Sequence, residues 1–433
     1  MVRSMQSLSK ILLLSTLTVG FGACQSGSLD AAREEEVPPP DGCSMPEVNV
    51  WLYDAMQRYY LWNDRLPDLE QDEIEGYEST ELLLDDLRYA DVDRWSRIRE
   101  AQVVEDHYQK GRGMSFGHKT MRDEDDRKWI TFVNDPSPAW EAGLRRGDEI
   151  LEDGYLDEDR LFLGLTVRHP DGEEVQLELE KEKVSYATVP YEEGFEEEEE
   201  RHGYLMFRTF VEPAIEALDE VFADYQTLGI TKVIVDLRYN GGGLISVARH
   251  LGNLLVGLNN EGELSFTYKY NDDRADKDRN HYYETVDHSI GATEVVFIVG
   301  PGTASASELV INMVRPYVKT TIVGNTTAGK PVGMHSHDFC EEKYKLSPVE
   351  FRMINAEGYG DYYEGIEPDC VAEDDVTHEL GTREEARIAE ALTVLRTGDC
   401  SRGAKQRRQV RSRVVHDRDG LDRMPGALAP RPQ

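Results

Sequence analysis

A chain of 433 residues, 39% of them hydrophobic, is long enough for two or three domains with an ample buried core. Its 84 acidic side chains outnumber 48 basic ones, for a formal net charge of -36. That balance excludes nucleic acid as a partner and suits neutral or basic peptides, or a salt-rich habitat.

The first elements read as export signals. Arg3 and Lys10 supply positive charge, Ile11 to Val19 form an apolar segment too short to span a bilayer, and Phe21-Gly22-Ala23 lead into Cys24. A cysteine directly after small residues resembles a lipoprotein signal, with Phe21 in the place of the usual Leu. The resemblance implies removal of residues 1–23 and lipidation of Cys24. Gln25 is not an acidic retention residue, so the expected location is the cell envelope, lipid-anchored at an outer membrane and facing the periplasm. Residues 24–44, small and acidic and containing Val37-Pro38-Pro39-Pro40, read as a flexible tether with a stiff end.

Residues 45–108 read as an N-terminal helical segment. Val48, Trp51, Leu52, Met56, Tyr59 and Tyr60 recur at three-and-four spacing, and Leu82, Leu83, Leu84 and Leu87 make a second apolar cluster. Residues 109–186 change period, with short strand patterns at 114–116, 129–133, 149–151 and 175–179. Between them, the stretch from Ser137-Pro138-Ala139 through Ala142-Gly143-Leu144 to Gly147-Asp148-Glu149-Ile150 resembles a PDZ domain. That implies an inserted β-rich domain taking an extended peptide as an added strand and gripping its C-terminal carboxylate. Gly111, Arg112, Gly113 and Met114 are the candidate carboxylate loop. The acidic run Glu196 to Glu200 reads as a solvated loop.

From 187 to 400 strands and helices alternate: strand 204–207, helix 213–228, strand 233–238, strand 295–299, helix 309–314, strand 320–323 and a final helix at 384–395. The pattern predicts an α/β core with a mostly parallel sheet, its site at the strands' C-terminal edge. Three stretches lie on that edge. Asn240-Gly241-Gly242-Gly243 lets backbone approach a ligand closely. Ser305 sits in a tight turn from strand to helix, where unpaired amides suit a developing oxyanion. Lys330, in Gly329-Lys330-Pro331, follows one helix and one return strand later.

In this order, Asp236-Leu237-Arg238-Tyr239-Asn240-Gly241-Gly242-Gly243, Gly302-Thr303-Ala304-Ser305-Ala306-Ser307-Glu308 and Gly329-Lys330 resemble the carboxyl-terminal processing (tail-specific) proteases, which are serine–lysine endopeptidases. The likeness runs from about Met45 to Cys400, with Gly365-Ile366-Glu367-Pro368-Asp369 matching the family's closing motif. It implies Ser305 as nucleophile and Lys330 as general base, with the amides of Ala306 and of Gly242 or Gly243 as oxyanion hole. It implies no metal and no cofactor, and protein or peptide substrates engaged through their C-terminal ends. A lysine is a base only when neutral, and an ordinary one, with a pKa of about 10.4, is charged until apolar surroundings shift it. Met334 stands where many relatives carry a Gln that holds the lysine. Either another group orients Lys330, or the chain is a protease-like binder that cuts weakly or not at all. His335 or His337 is an alternative base, and the same histidines with Cys340 suggest a zinc hydrolase.

Cys43, Cys340, Cys370 and Cys400 allow two disulfides in three pairings. The expected pairs are Cys340–Cys370 within the core and Cys43–Cys400 joining its ends. Residues 401–433, with Arg402, Lys405, Arg407, Arg408, Arg411 and Arg413, read as a basic disordered tail.

Overall fold

Apolar residues buried on both faces build the central sheet. The computed structural model describes residues 37–197 and 200–406. Its six-stranded sheet runs Cys370–Val371, Lys319–Gly324, Glu294–Val299, Lys232–Asp236, Glu200–Met206 and Tyr191–Glu197. All pairings are parallel except the last, which is antiparallel. Val233, Val235, Val295, Phe297 and Val299 pack on one side with the helices Ala214–Leu228 and Ala306–Val314. Ile234, Val296 and Ile298 pack on the other with the helix Ala386–Thr397. Side chains that alternate in direction along a strand covered on both faces must all be apolar, which is why these strands read as unbroken hydrophobic runs.

Parallel pairing is only part of the core. A four-stranded antiparallel sheet, ordered Arg279–Tyr282, Leu264–Lys269, Val349–Asn355 and Val332–Met334, stands beside it. The acidic run is not a free loop: Tyr191–Glu197 and Glu200–Met206 pair as a hairpin, with Phe195 buried and Arg201 on Glu196 at 2.9 Å. Burial of Phe195 and local cations offset the repulsion that suggested a loop.

The N-terminal segment is helical over Met45–Tyr59, Gln71–Glu75 and Thr80–Leu87, but Arg97–Glu100 is a strand paired with Tyr344–Ser347. Residues 118–180 form a five-stranded antiparallel sheet, ordered His118–Arg122, Lys128–Val133, Glu149–Tyr155, Phe162–Arg168 and Glu174–Glu180, around Ile130, Leu144, Leu165 and Val167. Two of these strands, at 118–122 and 162–168, have no counterpart in the sequence reading. Arg112–Ser115 pairs instead with Glu182–Ser185 as a separate ribbon.

The cysteines pair as Cys43–Cys340 and Cys370–Cys400, with Cα atoms 5.3 and 5.5 Å apart, not in the expected combination. Trp51 of the first helix stacks on Phe339 at 4.9 Å, which brings Cys43 to Cys340. The helix Ala386–Thr397 and the edge strand Cys370–Val371 share one apolar cluster, which brings Cys400 to Cys370. Residues 402–406, read as the start of a disordered tail, instead form a short helix, Arg402–Gln406, with Ala404 buried in the same cluster. No described helix is long and apolar enough to cross a membrane. The signal segment, Cys24 and the tail beyond 406 lie outside the described residues.

Candidate active site

Below the sheet's C-terminal edge lies a buried charge lattice. Arg238 sends Nε to Asp236 at 2.9 Å and both terminal nitrogens to Glu385, at 2.7 and 2.8 Å, all fully buried. Arg146, from the five-stranded unit, reaches Asp374 at 3.0 Å and the Tyr239 hydroxyl at 2.7 Å. Removing one partner of such a buried set leaves uncompensated charge, so the lattice fixes where the strand Lys232–Asp236 delivers the Asn240–Gly243 loop.

Ser305 caps the helix Ala306–Val314 with φ 57° and ψ −116°, a left-handed conformation that a side-chain-bearing residue rarely adopts. Two loops hold it there. The Thr303 hydroxyl donates to the Leu237 carbonyl at 2.7 Å, while the Ala304 amide and the Ser307 hydroxyl both donate to the Asn240 carbonyl, at 3.1 and 2.9 Å. Gly242, at φ 95°, lies so close that a Cβ there would meet the Ala304 carbonyl at 2.7 Å and the Ser305 Cβ at 2.9 Å. Gly242→Ala is therefore expected to push the Ser305 turn aside and lower kcat by roughly a hundredfold, measured on any cleaved peptide.

The Gly242 amide donates to Asn240 Oδ1 at 2.9 Å. Among the described residues, the amides of Gly243 and Ala306 have no acceptor. Of the two glycines read as oxyanion donors, Gly243 is the one whose amide is not already engaged.

Lys330 and Ser305 meet through Glu308. This fully buried carboxylate accepts the amides of Ser305 and Lys330 on Oε2, both at 2.8 Å, and the Gly329 amide (2.7 Å) and Thr327 hydroxyl (2.5 Å) on Oε1. Two bonds ending on one atom keep the Ser305 and Lys330 nitrogens within twice that length of each other. Burial raises the Glu308 carboxyl above its ordinary value, and these donors offset that rise only in part. The Lys330 amine contacts the Met334 thioether at 3.5 Å and lies 5.8 Å from the centre of the Trp95 ring. Arg94 holds the same loop by donating to the Ala328 carbonyl at 2.9 Å.

The histidines face elsewhere. His335 and His337 contact opposite oxygens of buried Glu350, at 3.2 and 2.5 Å, and Arg274 reaches it at 2.9 Å. Cys340 is in a disulfide and so offers no thiolate to a metal. Among the described residues the one trio with metal-ligand reach, Cys370, Glu390 and Cys400, contains a disulfide as well. Burial raises the Glu350 pKa, but the histidine hydrogen bonds outweigh it and hold the carboxyl at about 2, against an ordinary 4.5. A depressed carboxylate contributes stability above its unfolded value that is lost as pH falls through the folded one. Glu350→Gln is expected to flatten the acid loss of stability between about pH 4.5 and 2, on the order of 3 kcal/mol, measured by urea unfolding.

The candidate carboxylate loop makes its contacts with residues outside the Ser305 turn. Gly111 packs against Pro213 and Val211, Arg112 pairs with Asp106 at 3.3 Å, and Met114 is exposed.

Residues 201–372 match the family Peptidase family S41, and residues 47–97 match the Peptidase S41 N-terminal domain, together a little over half of the chain. This chain belongs to peptidase family S41. The likeness to tail-specific proteases read from its motifs is borne out. The S41 chain is 24% identical over 267 residues to a probable CtpA-like serine protease of Staphylococcus aureus, strain N315, and 21% identical over 270 residues to one of Staphylococcus haemolyticus. Each alignment takes in 58% of this chain and 51% of the relative, so the chain spans about half the length of the curated relatives it matches. Among solved structures, a putative S41 protease from Bacteroides fragilis is similar with TM-score 0.66 and 23% identity, over 80% of this chain and 97% of that one. The photosystem II D1 C-terminal processing protease is similar with TM-score 0.53 and 19% identity, over 78% and 95%. At these identities both describe the fold.

Two contributors to this S41 site escaped the sequence reading. Glu308 was legible, since Ser305-Ala306-Ser307-Glu308 has the Ser-x-x-Glu spacing of a capping box. Trp95 had no local signal, because its neighbour Lys330 is far away in sequence.

Proposed function

We propose that this chain is a serine endopeptidase of exported proteins, with Ser305 as nucleophile and Lys330 as its base. The observation carrying the reading is the Glu308 carboxylate that gathers the Ser305 and Lys330 amides onto one oxygen. In this reading Ser305 Oγ attacks the scissile carbonyl carbon as its proton passes to neutral Lys330 Nζ. The oxyanion is met by the amides of Ala306 and Gly243. The proton then passes to the leaving amine as the C–N bond breaks, and water hydrolyses the acyl-enzyme. Met334 and Trp95 lie beside this amine, which acts as a base only in its neutral form.

The unit at 109–186 serves as the PDZ-like substrate-binding domain. Its strand His118–Arg122 is the last in its sheet, with an edge available for an added peptide strand. Lipidated Cys24 anchors the chain to the envelope, at the periplasmic side of an outer membrane. Met334 favours a second reading, a peptide-binding protein without catalysis, because a thioether orients an amine more weakly than an amide oxygen does.

Incubation of the full chain with unfolded casein, with and without a chelator, separates these readings. New fragments at the same rate in both are expected. Absence of fragments supports the binder, and their loss with chelator supports a metal hydrolase.

A further inference from the structure

Arg208 is an anomaly in this chain. Acidic groups outnumber basic ones heavily, and the buried guanidinium groups of Arg146 and Arg238 each sit on carboxylates. The Nε and NH1 atoms of Arg208 are enclosed and, among the described residues, have no hydrogen-bond partner. Its guanidinium lies 3.9 Å from the centre of the Phe132 ring, from the five-stranded unit, and 5.7 Å from that of Tyr239, the residue before Asn240. The side chain as a whole keeps part of its surface open.

Its backbone is tied to the candidate oxyanion loop. The Arg208 amide donates to the Thr188 carbonyl at 2.8 Å, Asn240 Nδ2 donates to the Phe207 carbonyl at 2.9 Å, and Phe210 bridges to Gly243. Burial holds its guanidinium below the usual arginine range, at about 10. Asp236 acts on this cation from a distance, but among the described residues no carboxylate is hydrogen-bonded to it. A desolvated cation gains from such a partner, and a planar guanidinium matches a carboxylate.

We propose that Arg208 is a specificity-determining residue that receives a carboxylate of the bound peptide, from an acidic side chain or a free C-terminus, between the five-stranded unit and the Asn240–Gly243 loop. The inference rests on the peptidase reading only in taking the ligand to be a peptide.

The test uses the full chain carrying Ser305→Ala, so that binding is judged without cleavage. Casein-derived peptides are compared by fluorescence anisotropy in three forms: with Glu, with Gln in its place, and with the C-terminus amidated. At least one carboxylate form is expected to bind about tenfold more tightly than its neutral partner, a typical effect for a hydrogen bond to a charged group. The form that loses affinity identifies the source. Adding Arg208→Gln is expected to remove the preference, and Arg208→Lys to restore part of it. Equal affinity for charged and neutral forms overturns the proposal without need of any variant, as does a preference that survives Arg208→Gln. Failure of the unsubstituted chain to cut these peptides counts against the peptidase reading alone, since the binding preference is measured separately.

Discussion

Ser305→Ala is expected to lower kcat for peptide cleavage by roughly a thousandfold to a millionfold, and Lys330→Ala to reach a similar floor. A serine hydroxyl without a base is a poor nucleophile, and a base without a nucleophile has nothing to deprotonate, so the two act as one unit. The double variant is therefore expected to be no slower than the slower single one. Single-turnover kinetics on one peptide with all four proteins measures this directly. Multiplicative losses contradict a shared step. Neither substitution removes a hydrogen bond to the Glu308 carboxylate, which holds main-chain amides and not these side chains, although Ser305→Ala gives up the capping bond from the Glu308 amide to the serine hydroxyl. Lys330→Ala is thus expected to unfold near the wild-type urea midpoint and Ser305→Ala within about 1 kcal/mol of it, so loss of activity is not loss of fold.

Glu308→Gln is expected to damage fold and catalysis together. The Glu308 oxygens accept four donors: the Ser305 and Lys330 amides on one, the Gly329 amide and Thr327 hydroxyl on the other. A glutamine turns one acceptor into a donor, so whichever way it points, two buried donors face an N–H group. That costs about 3–5 kcal/mol by analogy with breaking a buried charged network. The more telling quantity is kcat at a temperature where the variant is still folded. If its amide turns toward Ser305 and Lys330, the two loops lose their shared anchor, and an ångström of misplacement lowers kcat by about a hundredfold. A variant destabilised yet fully active would show that Glu308 holds the fold without positioning the site.

The central strands were legible because burial on both faces demands unbroken apolar runs, as at 233–235 and 295–299. The turn at Ser305 was legible because a strand, small residues and a helix stand in immediate succession. Arg97–Glu100 was not, since Arg-Ile-Arg-Glu at a half-buried edge has little apolar signal and its partner, Tyr344–Ser347, lies far along the chain. The cysteine pairing failed for a related reason. Four cysteines satisfy several closures, and the choice depends on how the first helix and the last dock on different parts of the core. Trp95 near Lys330 and Arg146 on Asp374 are likewise products of docking, which no local pattern encodes.

The most direct test is covalent labelling of the intact chain with a serine-reactive phosphonate, read by intact mass and peptide mapping. One adduct per chain is predicted, on Ser305, absent from Ser305→Ala and reduced by at least about a hundredfold in rate in Lys330→Ala. Labelling elsewhere, or at an undiminished rate without the Lys330 amine, would contradict the proposed proton transfer.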